Sequence, residues 1–375
     1  MAPRRPKSSK NPPIFSSEFI IQNHADIVSC VAMVFVVGLM FQATSPVASL
    51  FIMMQYKLSV NDSANVEHIY YSTGSKDLFA VVFYALIGIV VHAVIQEYVL
   101  DKLNRKMHLS KIKHSRFNES GQLLVFFLAS VIWGLDILFR ESFVTSINQL
   151  WEGYPHTNLP LNVKIFFIAQ IAYWLHNYPE LYFQKVRKEE IAGRLQYTTL
   201  YLILISAAYF LNFNRVTLCL LVLHYAVEFL YRVALLFHFS EKTDVASTVF
   251  TIFDVLFVVV RLATITLTVL VFWFGLTQSN QSAIDVATGN YNTNLVRINS
   301  LVAICLAQAG LMWNFITFHL RKWRENSGGN KKQRSPIKKK SAKSVIPAEE
   351  LDSLPEVDQN SITDNGALRA RKIKK

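Results

Sequence analysis

The apolar residues of this 375-residue chain are grouped in blocks long enough to cross a lipid bilayer. A membrane-spanning helix needs about 20 predominantly apolar residues, because the hydrocarbon core is about 30 Å thick. Only 17% of the residues are charged, which is below the quarter or so that is usual in soluble domains. The pattern predicts an all-α, polytopic helical membrane protein with about eight transmembrane helices, and counts of seven and nine stay open. The candidate spans lie at about 27–43, 78–95, 123–139, 163–174 with its continuation, 196–211, 217–239, 249–276 and 295–318.

Composition divides the chain into four parts: a cytosolic N-terminal segment (1–26), two spans with their loops (27–116), a helical bundle (117–326) and a C-terminal tail (327–375). The stretch 44–56 contains Pro46 and is short, so we expect an interfacial extension of the first span there. From Arg321 to the C-terminus there are 15 basic and 7 acidic residues and almost no aromatic ones. Such a tail cannot bury enough apolar surface to offset its ordering entropy, which predicts a disordered basic tail.

The basic residues of the short loops predict the orientation, because cytosolic loops carry an excess of Lys and Arg. If the N-terminus is cytosolic, the inside segments before the tail hold fifteen of them and the outside loops hold six. We therefore expect both termini in the cytosol. The six outside residues are Lys57, Lys76, Arg140, Lys164, Arg215 and Arg297.

Two glycosylation sequons fall on the predicted outer side. Asn61-Asp62-Ser63 lies in the first outer loop, which is long enough to keep it clear of the bilayer, and Asn280-Gln281-Ser282 lies in the last one. An Asn-X-Ser acceptor implies a surface loop in a secretory compartment. Asn61 is the stronger candidate glycosylation site.

Ionisable residues within the candidate spans recur at helical spacing. His224, Glu228 and Arg232 are four residues apart, which places them on one helical face and favours a Glu228–Arg232 pair. His176 and Glu180 repeat part of this pattern. Because such groups are costly in a membrane, they either line an intramembrane polar groove or fasten helices to one another, and the sequence leaves both alternatives open. Asp254 and Arg261 also share a face, whereas His92 and Asp136 stand alone in their spans.

Signatures of catalysis, cofactors and metals are absent from the sequence. There is no nucleophile elbow, no HExxH, no phosphate-binding loop and no GxGxxG after a strand. The three cysteines, Cys30, Cys219 and Cys305, fit neither a disulfide framework nor a zinc motif. We therefore expect no cofactor and no metal. A transporter, a lipid-modifying enzyme and a chaperone-like membrane subunit all stay compatible with the residues alone.

Several long strings narrow these alternatives. Taken together and in this order, they resemble the translocating chain-associating membrane protein (TRAM) family over nearly the whole chain up to the tail. The strings are QNHADIVSC (22–30), HAVIQEYVLDK (92–102), HSRFNESGQL (114–123), AYWLHNYPELYFQKVRKEEI (172–191), VLHYAVEFLYR (222–232) and MWNFITFHLRKWRE (312–325).

The region from about Phe117 to Asn326 also resembles the wider TLC superfamily, which includes the ceramide synthases. If Arg187-Lys188-Glu189 is placed on their basic-acidic string, Gln196 and Tyr197 stand where those enzymes carry a His-His pair. Neither Gln nor Tyr titrates near neutral pH as His does. The resemblance therefore implies a TLC-type bundle without ceramide synthase chemistry, and we expect no enzymatic activity.

The TRAM resemblance implies an accessory subunit of the endoplasmic reticulum protein translocon. Its partners would be the Sec61 channel, nascent secretory and membrane polypeptides at the lateral gate, the ribosome and membrane lipids, with no sequence-specific nucleic acid. The alternative is a protein that binds or handles sphingolipids. On the first interpretation, His176, Glu180, His224, Glu228 and Arg232 form a polar groove toward a client segment.

Overall fold

A computed structural model of the chain describes residues 16–61, 67–109, 111–184, 186, 188–279 and 281–329. Helices dominate, and one small antiparallel hairpin precedes the long ones. The elements are α1 (Ser17–Gln22), α2 (His24–Gly38), α3 (Ser45–Ile52), β1 (Lys57–Asn61), β2 (Glu67–Tyr71), α4 (Asp77–Ile95), α5 (Asp101–Met107), α6 (Lys111–Arg140), α7 (Leu161–Phe183), α8 (Lys188–Phe210), α9 (Asn214–Phe239), α10 (Thr243–Val269) and α11 (Asn294–Gly329). Helical turns of other pitch lie at Gln96–Leu100, Ile147–Leu150, Leu270–Gly275 and Leu276–Ser279.

The prediction of a helical membrane protein is confirmed. Within the described residues, five helical stretches are long and apolar enough to cross a membrane: Asp77–Met107, Lys113–Arg140, Asn214–Phe239, Thr243–Ser279 and Asn294–Glu325. The other three predicted spans also contain helices, namely α2, α7 and α8. They fall outside that group because α2 has only 15 residues, while α7 and α8 carry several charged or polar side chains. Among the described residues, these five stretches are therefore candidate spans by length and composition, and the count of eight stays a prediction.

The stretch predicted as an interfacial extension of the first span folds back on that span. After a turn at residues 39–44, α3 packs against both α2 and α4. The Phe51 ring lies 4.6 Å from the Phe35 ring and 5.2 Å from the Phe79 ring. With 8 residues, α3 is far too short to cross a bilayer.

The main core lies between α4, α6, α7, α8 and α9, and aromatic rings fill it. Phe127, Phe166, Phe167 and Tyr225 are fully buried, and Trp174 is 1% exposed. Lipid tails are as apolar as these side chains, so close packing, rather than exclusion from water, holds such helices together.

Helices α6 and α9 approach each other closely at one glycine. A Cβ atom at Gly134 would lie 2.4 Å from Cγ2 of Val222, so a larger residue at that position requires the Val222 side chain or the helix to shift. Small residues at helix crossings allow this approach in membrane proteins.

The chain reverses direction within the few residues between α8 and α9. Asn212, with a φ of 60°, adopts the left-handed backbone conformation that this turn requires.

The hairpin β1–β2 marks one end of the bundle, which we call the hairpin end. Three other connections meet there, namely those between α6 and α7, between α8 and α9, and between α10 and α11. Tyr71 and Leu159 exchange backbone hydrogen bonds of 2.9 and 2.8 Å, and the Asn212 amide donates to the Gly289 carbonyl at 2.9 Å. The sequence did not predict this hairpin.

The other end, which we call the opposite end, holds α5 and the connection between α7 and α8. Ion pairs join its segments: Arg194 lies 2.7 Å from Glu119, and Lys113 lies 3.3 Å from Glu241. The last helix, α11, continues to Gly329. Most of the tail predicted to be disordered, residues 330–375, lies outside the described residues.

Large apolar side chains cover the outer faces of α2, α10 and α11. Val34 is 70% exposed, Val255 is 62% exposed and Leu306 is 67% exposed. Contiguous apolar surface of this kind is unusual on soluble proteins and is the surface that a bilayer requires.

Candidate functional site

The five residues of the predicted polar groove fall into two neighbouring clusters. The first surrounds Glu180 near the end of α7 and includes His176. The Gln184 amide donates to Oε2 of Glu180 at 3.1 Å and to Nε2 of His92 at 2.9 Å, and the His92 ring centre lies 5.8 Å from that of His176. The sequence of its span alone suggested that His92 is isolated. In the structure it is not isolated, because α4 packs along α7. We call His92, His176, Glu180 and Gln184 the Glu180 cluster.

A cavity of about 80 Å³ adjoins the Glu180 cluster. It lies between α4, α6, α7 and α8 at the opposite end of the bundle. Glu180 is only 4% exposed, and its Oε1 atom accepts no hydrogen bond from a described residue. The lining residues include Glu119, Gln122, Trp174, Glu180, Arg194 and Tyr197.

The second cluster surrounds His224 on α9. An Arg261 nitrogen lies 3.0 Å from Nδ1 of His224, and another donates to Oε1 of Gln308 at 2.9 Å. Since arginine can only donate, Nδ1 accepts and Nε2 carries the proton of a neutral ring. Nε2 is then hydrogen-bonded to the Tyr201 hydroxyl. His224 thus has a partner on each ring nitrogen and connects α8, α9 and α10.

Glu228 and Arg232 continue the same face of α9, as predicted, and are 1% and 2% exposed. The carboxylate of Glu228 lies within electrostatic range of both Arg232 and Arg261. It accepts no hydrogen bond from a described residue. The predicted interaction of Glu228 with Arg232 is therefore electrostatic, without a hydrogen bond between the two side chains. The same carboxylate also interacts with Arg261, so its electrostatic partners lie on both α9 and α10.

A chain of hydrogen bonds runs between α6, α7 and α9 beside the two clusters. The Trp174 indole N–H donates to the Tyr225 hydroxyl at 3.2 Å, Tyr225 donates to Gln170 at 3.1 Å, and Gln170 donates to Ser130 at 2.9 Å. The Trp174 ring also stacks on that of Tyr201 at 4.3 Å between centres. The two clusters therefore adjoin around Trp174 and do not form one continuous open face.

The remaining predicted polar residues have partners on a neighbouring helix or on their own helix. Asp254 lies 3.4 Å from His319 on α11, so Asp254 and Arg261 share a helical face but contact different residues of α11. Asp136 is not isolated, because Arg140 donates to both of its carboxylate oxygens at 2.8 and 2.9 Å. These contacts connect α10 to α11 and neutralise the end of α6.

The most buried ion pair among the described residues was not predicted from the sequence. Lys164 and Asp77 are 2.8 Å apart, and their side chains are 0% and 1% exposed. The Tyr209 hydroxyl donates to Asp77 at 2.8 Å, and Lys164 also donates to the Gln55 and Ser72 carbonyls at 2.8 and 2.7 Å. Counting Lys164 among the outer-loop cations was wrong, because it lies inside α7. This network, the Asp77–Lys164 network, binds the segments flanking the hairpin to α4, α7 and α8.

The connection between α6 and α7 holds a histidine shielded from water. His156 is 5% exposed, and its Nε2 atom lies 2.9 Å from the Glu152 carbonyl oxygen. Burial lowers the pKa of His156 to about 4, and the nearby Arg215 guanidinium contributes in the same direction. The ring is therefore neutral at pH 7 and adds no positive charge to the hairpin end.

The two predicted glycosylation sites lie at or beyond the edges of the described residues. Asn61 is the last residue of β1, at the hairpin end, whereas Asp62 and Ser63 lie outside the described residues. Asn280 lies outside them as well. Among the residues that are described, no group of three or more His, Cys, Asp or Glu side chains could hold a metal ion.

Comparison with known proteins identifies the family. The TLC domain matches residues 116–317, which is more than half of the chain. Translocating chain-associated membrane protein 2 of Homo sapiens is 49% identical over 319 residues, 85% of each chain. The Mus musculus protein of that name is 46% identical over 371 residues, 98% of each chain. This chain belongs to the translocating chain-associated membrane protein family.

The ceramide synthases are more distant relatives of this TRAM-family protein. Ceramide synthase LOH2 of Arabidopsis thaliana is 27% identical over 161 residues, 43% of this chain and 54% of that protein. Ceramide synthase 4 of Bos taurus is 28% identical over 147 residues, 39% of this chain and 37% of that protein. At the positions that the TLC resemblance assigns to the His pair, Gln196 is exposed and Tyr197 is buried beside the cavity.

Proposed function

We propose that this protein is an accessory subunit of the endoplasmic reticulum translocon that contacts nascent chains as they leave the Sec61 channel. The observation that carries the proposal is the identity of 46–49%, over most of the chain, to proteins named for their association with translocating chains. The ribosome and membrane lipids are further proposed neighbours. We propose no catalytic step and no cofactor.

The contrast between the outer surface and the interior of the bundle suggests how the protein would support a client segment. The exterior is apolar, while the ionisable groups of α7 and α9 are buried inside. Residues of the Glu180 cluster line the described cavity, whereas His224, Glu228 and Arg232 do not. We therefore retain the groove proposal for His176 and Glu180, and assign His224, Glu228 and Arg232 to contacts between helices. A client segment of low hydrophobicity would partition against this surface at lower cost than directly into lipid.

Depleting the protein from microsomes is expected to reduce the translocation of clients with weakly hydrophobic signal sequences several-fold. Clients that differ only in a strongly hydrophobic signal core should be nearly unaffected, because they partition into lipid unaided. The measurement is the protected fraction of a matched reporter pair. Adding the purified protein back must restore the weak client, and equal losses for both reporters would contradict the proposed mechanism.

We further propose that the hairpin end faces the lumen and that both termini are cytosolic. In support, Lys102, Arg105, Lys106 and Lys113 lie on α5 and the start of α6 at the opposite end. Asn61 then lies on the lumenal side, where its sequon is glycosylated. The expected result is a gel-mobility shift that endoglycosidase removes and that Asn61→Gln abolishes. The control is Asn118→Gln, which removes a third sequon, Asn118-Glu119-Ser120, on the proposed cytosolic side. A glycan on Asn118 would reverse the orientation.

A further inference from the structure

The cavity beside Glu180 has an acceptor that no described side chain satisfies. Oε2 of Glu180 receives the Gln184 amide, but Oε1 is buried without a hydrogen bond from a described residue. A carboxylate oxygen that is buried without a hydrogen bond destabilises the folded protein unless a donor, preferably a cationic one, binds to it. The site therefore favours an occupant that carries N–H or O–H donors.

The charges around the cavity favour a positively charged donor. Glu119 is neutralised by Arg194 at 2.7 Å, and His92 accepts the Gln184 amide at Nε2. Among the described lining residues, Glu180 is thus the acidic group without an arginine or lysine partner; Nε2 of His92 lies 3.8 Å from its Oε2 atom, but that nitrogen accepts the Gln184 amide and donates nothing to the carboxylate. Glu180 also lies in the last turn of α7, where the partial negative charge of the helix terminus adds to the attraction for a cation.

Size and position restrict the cation further. The cavity volume of about 80 Å³ is several times the roughly 10–15 Å³ that one water molecule requires by the same measure, so the cavity admits an ammonium group on a short alkyl arm. The cavity lies where α7 ends and α8 begins, which is the depth of lipid headgroups for helices that cross the membrane. Arg194 lines the same cavity, and a guanidinium at this position suits a phosphate oxygen.

The geometry points to a lipid-headgroup site: the cavity binds the primary ammonium of an ethanolamine phospholipid against Glu180, with the lipid phosphate beside Arg194. Three N–H donors of the ammonium can satisfy Oε1 of Glu180 and neighbouring acceptors. A trimethylammonium headgroup has the same charge but no N–H donor, so it cannot satisfy the unpaired oxygen. This inference goes beyond the translocon role and holds whether or not the chain contacts clients.

The test is lipid retention by the purified full-length protein, measured by native mass spectrometry. The protein is exchanged into micelles with equimolar dioleoyl phosphatidylethanolamine and its N-monomethyl, N-dimethyl and N-trimethyl derivatives. We expect retention to fall with each methyl group, with at least a tenfold preference for the unmethylated lipid over the trimethylated one. Equal retention across the series would overturn the assignment, and this arm requires no variant.

Variants locate the site. Glu180→Gln keeps the side-chain shape and should remove at least nine-tenths of the preference, whereas Asp254→Asn on α10 should leave it unchanged. Unaltered selectivity in Glu180→Gln would overturn the proposal. Sphinganine, which carries a primary ammonium without a phosphate, separates the two halves of the site. If sphinganine binds more tightly than the phospholipid, the occupant is not an ethanolamine headgroup and the proposal fails. The proposal also fails if a lysine-rich peptide displaces the phospholipid at equal concentration.

Discussion

Replacing Lys164 with methionine is expected to destabilise the protein by about 3–5 kcal/mol. The substitution keeps the length of the side chain but leaves the Asp77 carboxylate buried without its counter-ion, 2.8 Å away in the native protein. It also removes the donor to the Gln55 and Ser72 carbonyls, so the segments that flank the hairpin lose their tie to α7. The measurement is thermal unfolding in detergent, where we expect a fall in the midpoint of the order of 10 °C.

Two further variants separate charge from packing at the Asp77–Lys164 network. Asp77→Asn combined with Lys164→Met should recover part of the loss, because no unpaired charge stays buried. Asp136→Asn breaks an ion pair whose side chains are 44% and 68% exposed, and it should cost at most about 1 kcal/mol. If Lys164→Met destabilises the protein no more than Asp136→Asn, the network does not hold the hairpin end.

Replacing Arg261 with leucine is expected to have an effect of similar size, about 3–5 kcal/mol, at the centre of the bundle. His224 and Gln308 lose their donor, and the Glu228 carboxylate loses one of the two cations in its electrostatic range. Glu228→Gln in the same protein should restore part of the stability, because the carboxylate forms no hydrogen bond with a described residue. The coupling energy between the two substitutions should be about 1–3 kcal/mol.

The same double-mutant cycle distinguishes the two roles open to the His224–Arg232 face. If these residues only connect helices, Glu228→Gln alone should destabilise the protein, because Arg232 and Arg261 lose the carboxylate in their electrostatic range, and client crosslinking should be unchanged. If the Glu228→Gln variant folds normally but loses client contact, Glu228 belongs to the polar groove that contacts the client. Additive effects of Arg261→Leu and Glu228→Gln would contradict the shared charge that the structure places between α9 and α10.

Features that depend on neighbours along the chain were predictable from the sequence. The apolar blocks located the long helices, because a bilayer imposes a minimum length on any segment that crosses it. Spacing of four residues placed His224, Glu228 and Arg232 on one face of α9, as the structure has them. The absence of the His pair at Gln196 and Tyr197 was also visible in the sequence alone.

Features that depend on contacts between helices were not predictable. His92 looked isolated because Glu180 and Gln184 are far away in the sequence, and Lys164 looked like a loop cation because its partner Asp77 begins a different helix. Spacing predicted that Glu228 interacts with Arg232, but it did not show that Arg261 on α10 lies within electrostatic range of the same carboxylate. The hairpin gave a weak signal in Val60, Ile69, Tyr70 and Tyr71, which favour strands, within two runs of only five residues.

The central claim is contact with a translocating chain, and site-specific photocrosslinking tests it most directly. A ribosome-bound intermediate carries a photoreactive probe in its signal sequence and engages microsomes reconstituted with this protein. We predict a crosslink to this protein that requires both the bound ribosome and the Sec61 channel and that disappears when the chain is released. Crosslinks to the channel alone, at every probe position, would contradict the account.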